Sequence, residues 1–168
     1  AGIAGGVEII LLPEIPYKLI HVQNKINQLL KRGRNFALVV VAEAVKTEEG
    51  QPVQIKDLSG RARYGGIGHY LSDQITRLTG AETRFMVLGH VQRGGQPDAA
   101  DRVLASAFGV KAVDLIAEQK FDRMVAWQNR TVVDVPILEA IAQNRAVDPK
   151  GVLVQTARGL GICLGDES

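Results

Sequence analysis

Residues 7–42 read VEIILLPEIPYKLIHVQNKINQLLKRGRNFALVVVA: two apolar runs with a helical pattern between them. Val7–Leu12 is short and rich in branched side chains, as a strand buried on both faces requires. Pro13, Glu14 and Pro16 stop it. Residues 17–32 then carry Leu19, Val22, Ile26, Leu29 and Leu30, the spacing of one helical face. Gly33 ends that helix, and Lys31 and Arg32 stand in its last turn, where cations suit the dipole. Phe36–Ala42 reads as a second buried strand. Strand, helix and strand in this order predict a parallel crossover unit.

The pattern continues along the chain. Residues 44–62 are polar, with turns at Glu49-Gly50 and Ser59-Gly60, and read as a long loop. A helix over about 64–79 presents Ile67, Tyr70, Leu71, Ile75 and Leu78, and Gly80 caps it. Arg84–Leu88 reads as a third strand. Pro97 and Asp98 open a helix reaching about Gln119, with Leu104, Phe108, Leu115 and Ile116 facing inward. Residues 122–127 and 131–135 read as two strands joined at Asn129, Pro136 starts a short helix, and a last helix falls near 150–160. The expected class is α/β, Rossmann-like, with a mostly parallel sheet covered by helices on both faces.

A chain of 168 residues is long enough for one well-buried domain. Its 46% apolar and 23% charged residues are those of an ordinary globular domain. A net charge of +2, with few aromatic residues to stack bases, gives no nucleic-acid footprint. The longest strongly apolar run, Phe36–Ala42, is too short to span a membrane. The lone Cys163 excludes an internal disulfide and fits a reducing, cytoplasmic compartment. AGIAGG at the start reads as the last turn of a helix and its glycine stop, as in a piece of a longer protein.

Three groups stand at the expected carboxyl ends of strands, where open parallel sheets bind ligands. They are Glu14, Glu43 and the run His90 to Gly95. Residues 84–102 read RFMVLGHVQRGGQPDAADR. Arg93 offers a planar fork matching phosphate oxygens. His90 can donate from a ring nitrogen, and Gly94 and Gly95 let the backbone turn beside a ligand. Glu43 can accept hydrogen bonds from sugar hydroxyls. Arg84 lies six positions before His90. On an extended strand that is roughly 20 Å at ~3.3 Å per residue, too far to share one sugar phosphate. Arg84 is therefore either structural or serves a site built by another chain. The plain alternatives are a solvated acid for Glu43, a loop histidine for His90 and a salt-bridged arginine for Arg84.

The stretch resembles the signature of the 6-phosphofructokinases: a basic residue, four positions, G-H-x-Q-R-G-G, five positions, then D-R. Every specified position fits. VVVAE and GGVEIILLPEIP are similar to further elements of the carboxyl-terminal part of that family. The resemblance implies one half of a two-domain fold, with residues 1–168 forming its sugar-phosphate-binding portion. The parent enzyme would move a phosphoryl group from ATP or pyrophosphate to the 1-hydroxyl of fructose 6-phosphate. Glu43, His90 and Arg93 would bind the sugar phosphate in their own chain's site. Arg84 would reach across a subunit interface to a neighbour's 6-phosphate, in a homodimer or homotetramer. The catalytic base, the donor loops and the acids for Mg²⁺ would lie in an amino-terminal half absent here. No residue of this chain receives a catalytic or metal-binding role, and the chain alone is expected to be inactive.

The resemblance also bears on the opposite, amino-terminal sheet edge. Glu8 in GGVE and the pair Arg32 and Arg34 in RGR are similar to an allosteric effector site in bacterial members. The helix dipole explains these cations equally well. Gly66-Ile67-Gly68 starts a dinucleotide fingerprint but lacks its third glycine, and no strand precedes it. Packing at a helix start explains it better. Gly159-Leu160-Gly161 reads as a helix stop. A stand-alone phosphate-ligand binding or regulatory module remains the alternative to a kinase portion, and a dinucleotide-dependent enzyme the third reading.

Overall fold

Strand β1 (Ile9–Leu11) runs parallel to β2 (Val39–Val41), in the register Ile9–Val39, Ile10–Val40 and Leu11–Val41. These strands organise the first of two units in the computed structural model, which describes residues 1–56, 62–64, 66–142 and 145–166. That unit comprises Ala1–Val87 and Val147–Ser168; the second is Leu88–Ala146.

The crossover between β1 and β2 is helix α1 (Leu19–Lys31), as the 3.6-residue pattern requires. Helix α2 (Ile67–Thr79) packs beside it. Ile9 and Leu11 point into one cluster with Leu19, Val22 and Ile26 of α1 and Ile67, Leu71 and Ile75 of α2. Ile10 and Leu12 pack on the opposite face, against Val154 and Ala157 of helix α5 (Val152–Gly159). Strand alternation thus sends successive side chains of β1 into two different cores. Helices cover both faces of the parallel pair, so the α/β class holds, on few strands.

Cys163 extends the sheet on the other side of β1. It forms a parallel bridge with Ile9, its carbonyl accepts from Ile10 N–H (2.9 Å), and its N–H donates to the Glu8 carbonyl (2.9 Å). Gly161, with φ of +73°, turns the chain out of α5 and into this edge, as expected of a helix stop.

The strands are shorter than their apolar runs. Phe36 and Leu38, expected inside the second strand, are exposed. The loop expected over 44–62 contains instead an antiparallel hairpin, β3 (Gln54–Lys56) with β4 (Ala62–Tyr64). The expected turn at Ser59-Gly60 lies outside the described residues. Arg84–Leu88 is not a third strand: it pairs with no strand among the described residues. A strand needs a partner for its N–H and C=O groups. Side chains hold this segment instead. Phe85 sits against the edge of His69, with ring centroids 5.3 Å apart, and fills the space over Gly68. Met86 is left 83% exposed.

In the second unit, helix α3 (Ala99–Ala117) lies against the antiparallel hairpin of β5 (Arg123–Gln128) and β6 (Thr131–Pro136), and helix α4 (Ile137–Ile141) follows. The hairpin turns at Asn129 and Arg130, both at positive φ, as a two-residue turn between twisted strands demands. Leu115 is buried and Leu104 and Phe108 are partly so, but Ile116 is exposed, contrary to its expected inward position. The inward stripe recurs at 104, 108 and 115; Ile116 is one position, or 100°, beyond it. Arg123 and Lys111 both reach the Asp134 carboxylate, and the Arg123 hydrogen bond holds that carboxyl below its usual range.

Tyr17 is buried beneath α1, and its hydroxyl has no hydrogen-bond partner among the described residues. Burial, then the nearby Tyr70, Glu48 and Glu49, push its pKa well above the usual phenol range. Both states keep the proton below about pH 10; above it the unfolded chain loses the proton while the folded chain retains it, so stability falls. Tyr17→Phe is expected to raise stability near pH 8 by about 1 kcal/mol, by removing an unsatisfied hydroxyl. It should also lessen the decline above pH 10, to which the raised Tyr70 still contributes. Urea unfolding of both proteins at pH 8 and pH 10.5 checks this.

Candidate functional site

The two strands of the parallel pair end side by side, and each is followed by an acid. After β1, Glu14 Oε1 accepts from the Val147 N–H (2.9 Å), while its Oε2 is buried without a partner among the described residues. After β2, the turn closed by Val45 N–H on the Ala42 carbonyl (3.0 Å) carries Glu43 into solvent. Glu43 makes no hydrogen bond or ion pair among the described residues, so both its oxygens are available to a polyhydroxyl ligand. Arg84 is also solvent-facing, with 87% of its side chain exposed; among the described residues its guanidinium holds only nearby Glu82, through Nε (3.0 Å) and Nη2 (2.8 Å). An exposed pair of this kind is weak and exchangeable.

The signature lies in the second unit. Gly89–Arg93 forms one 3₁₀ turn that places His90 on the surface. Glycines frame this turn. Gly89 has φ of +50° and Gly95 of +127°, and a Cβ on Gly94 would press on the Val91 carbonyl at 3.3 Å. The Arg93 side chain lies outside the described atoms. The Asp of the closing Asp-Arg pair has a structural task. Asp98 Oδ1 accepts from Asp101 N–H (2.9 Å), and Asp101 Oδ2 accepts from Asp98 N–H (3.1 Å). This capping box starts α3 where the signature ends. The spacing Asp-x-x-Asp carries that signal in the sequence, where Pro97 and Asp98 are expected to open the helix and Asp101 is the partner that the structure adds. The candidate sugar-phosphate residues thus divide between the units, Glu43 and Arg84 in the first, His90 and Arg93 in the second.

At the amino-terminal edge, the structure brings together two of the three expected effector residues. Glu8 is 7% exposed, with Arg34 Nη1 at 2.7 Å from one oxygen and the Leu38 N–H donating to the other at 2.7 Å. Arg34 also lies over the Phe36 ring, 5.0 Å from its centroid. Arg32 stays apart, exposed at the C-cap of α1. Both Glu8 oxygens are engaged within the chain. The dinucleotide resemblance fails on geometry. Gly66 caps α2 at positive φ, and Gly68 lies in the first turn of that helix beside Phe85, so these glycines belong to a helix start. Arg61 lies outside the described residues.

Among the described residues, no cluster of three or more His, Cys, Asp or Glu side chains converges to hold a metal ion. The described residues therefore do not fit a Mg²⁺ site. No helix is long and apolar enough to cross a membrane among those residues.

Removing Arg34 leaves a mostly buried carboxylate without its cation. Because 45% of the Arg34 side chain is exposed, the loss is smaller than for a fully buried pair. Arg34→Ala should lower stability by about 1–2 kcal/mol, whereas Arg32→Ala should change it by less than about 0.5 kcal/mol. Urea denaturation followed by far-ultraviolet circular dichroism distinguishes the two.

Comparison with known proteins agrees with the signature. A family profile described as "Phosphofructokinase" matches residues 1–116. Over 167 residues the chain is 59% identical to "ATP-dependent 6-phosphofructokinase 1" of Synechocystis sp. and covers 46% of that protein. It is 55% identical over 166 residues to the protein of the same name from Nostoc sp., again covering 46%. A Chloroflexus aggregans "ATP-dependent 6-phosphofructokinase" is 41% identical over 167 residues. Each match takes in 99% of this chain, which therefore spans about half the length of the curated relatives it matches. On the family profile and these identities, the chain belongs to the phosphofructokinase family.

Proposed function

We propose that this chain is the sugar-phosphate-binding portion of an ATP-dependent 6-phosphofructokinase, a cytoplasmic homo-oligomer that phosphorylates fructose 6-phosphate at its 1-hydroxyl. The observation that carries the reading is the complete signature from Arg84 to Arg102, in a chain that belongs to this family throughout most of its length. The relatives' names favour ATP over pyrophosphate as donor. Phosphoryl transfer of this kind is positioning and charge stabilisation. Arg93 would clamp phosphate oxygens, His90 would donate to the sugar phosphate, and Glu43 would orient the ligand through its hydroxyls. The base, the donor loops and the Mg²⁺ acids would come from the other half of the polypeptide, so this chain alone would not turn over substrate.

Helix α3 supports a larger parent protein. One side rests on the β5–β6 hairpin, yet Val103, Val110 and Val113 line the other side in solvent, Val103 with 71% exposed. A helix apolar on both sides is ordinarily covered on both. The other half of the polypeptide would cover this second side.

In the full-length enzyme, Arg93→Ala should remove a charge-assisted phosphate contact of roughly 1.5–3 kcal/mol. Sugar-phosphate affinity should fall by about one to two orders of magnitude, with affinity for ATP little changed. Steady-state kinetics varying each substrate in turn provide the measurement, and unaltered sugar-phosphate dependence would exclude Arg93 from the site.

Arg84 would serve a neighbouring chain, in a self-complementary contact. Its exposure, and a weak exposed pair with Glu82 as its one partner among the described residues, leave it available for that role. Mixed oligomers of inactive Arg84→Ser and His90→Asn enzymes would contain sites with both residues intact. Co-refolding should therefore recover part of the sugar-phosphate activity. Absence of recovery in verified mixed oligomers, with normal sugar affinity in Arg84→Ser alone, would return Arg84 to a structural role.

A further inference from the structure

A groove of about 500 Å³ opens in the first unit between α1 and the segment 158–166. None of the residues assigned above to sugar phosphate or effector lines it. One wall is a stripe of α1: His21, Asn24, Lys25 and Gln28, at i, i+3, i+4 and i+7. These positions share one helix face. The other wall includes Arg158, Cys163 and Asp166.

The charges in the groove do not cancel. Arg158 and Asp166 neutralise each other through a two-point pair, Nη1 to Oδ1 at 3.1 Å and Nη2 to Oδ2 at 2.5 Å. Lys25 meets no carboxylate among the described residues; its Nζ donates to the neutral Gly161 carbonyl at 2.6 Å. One uncompensated positive charge therefore remains, flanked by the side-chain amides of Asn24 and Gln28.

His21 supplies an independent observation. Its Nε2 is buried and has no hydrogen-bond partner among the described residues. Native proteins rarely leave such an atom unmatched, because the desolvated group loses its hydrogen bond to water. The walls are also anchored. Cys163 is tied to β1 through two backbone hydrogen bonds, and the Lys25 contact holds Gly161 to α1.

We propose that this groove is a second ligand site, which binds a small oxyanion through Lys25 and the amides of Asn24 and Gln28, with His21 on the same wall. A phosphate or a carboxylate group presents the acceptor oxygens and negative charge that these donors match. None of the residues proposed to bind the sugar phosphate is among its donors.

The test uses the full chain, labelled on histidine, titrated with inorganic phosphate in one arm and succinate in the other, at constant ionic strength set with chloride. The His21 ring resonances report binding. A saturable shift with phosphate alone identifies a phosphate site, and with succinate alone a carboxylate site. Lys25→Met should weaken binding about ten- to a hundredfold. Arg93→Ala should leave it unchanged, which separates this groove from the signature. Circular dichroism confirms folding, and Asn24→Ala, expected to weaken binding several-fold, replaces Lys25→Met if that variant is unfolded. No saturable shift with either anion, or wild-type affinity in the folded groove variant, overturns the proposal.

Discussion

The first unit depends on strand β1 being buried on both faces. Three residues, Ile9 to Leu11, hold β2 on one edge and Cys163 on the other, and send alternate side chains into separate cores. Ile9 and Leu11 are completely excluded from solvent. Each apolar side chain so placed contributes about 1.5–3 kcal/mol of burial free energy. A strand enclosed in this way tolerates neither a polar residue nor a change of register, because a slip of one residue would exchange its two faces. The packing of α1, α2 and α5 follows from that placement.

The same strand sets where chemistry can occur. At its carboxyl end and that of β2, Glu14 and Glu43 emerge next to one another in the sheet order. At its amino end, Glu8 is drawn inward and answered by Arg34 and the Leu38 N–H. Glu43 and Glu8, at opposite ends of the same parallel pair, thus have opposite fates. Glu43 is solvated and has no side-chain partner among the described residues, whereas Glu8 is desolvated and paired. The difference matters for an effector role at Glu8, because any ligand there would have to displace Arg34 or bind around an ion pair already formed.

The second unit follows a different rule. Its hairpin and α3 are assembled from neighbouring stretches of sequence, with a capping box and a two-residue turn as local devices. Such devices position the signature glycines without a large core. The outcome is a helix with exposed apolar residues on the side away from its hairpin.

Sequence alone determined the features with local causes. The 3.6-residue spacing marked α1, α2 and α3, Asn129 marked the hairpin turn, and Gly161 marked the end of α5. Each is set by interactions within a few residues, so its pattern is written in consecutive letters. The phosphofructokinase signature was legible for the same reason, as a contiguous string with few free positions. Tertiary structure decided what depends on distant partners. RFMVL has the composition of a strand, but no strand among the described residues receives it, and Phe85 packs against α2 instead. Cys163 became a sheet edge only because the chain after α5 returns to β1. Glu8 and Arg34, 26 positions apart, became a pair because the parallel crossover brings the starts of both strands together. The groove beside Lys25 likewise joins α1 to a segment more than 130 residues away. Periodicity reports which face of an element is apolar; only the fold decides which element, or which ligand, meets that face.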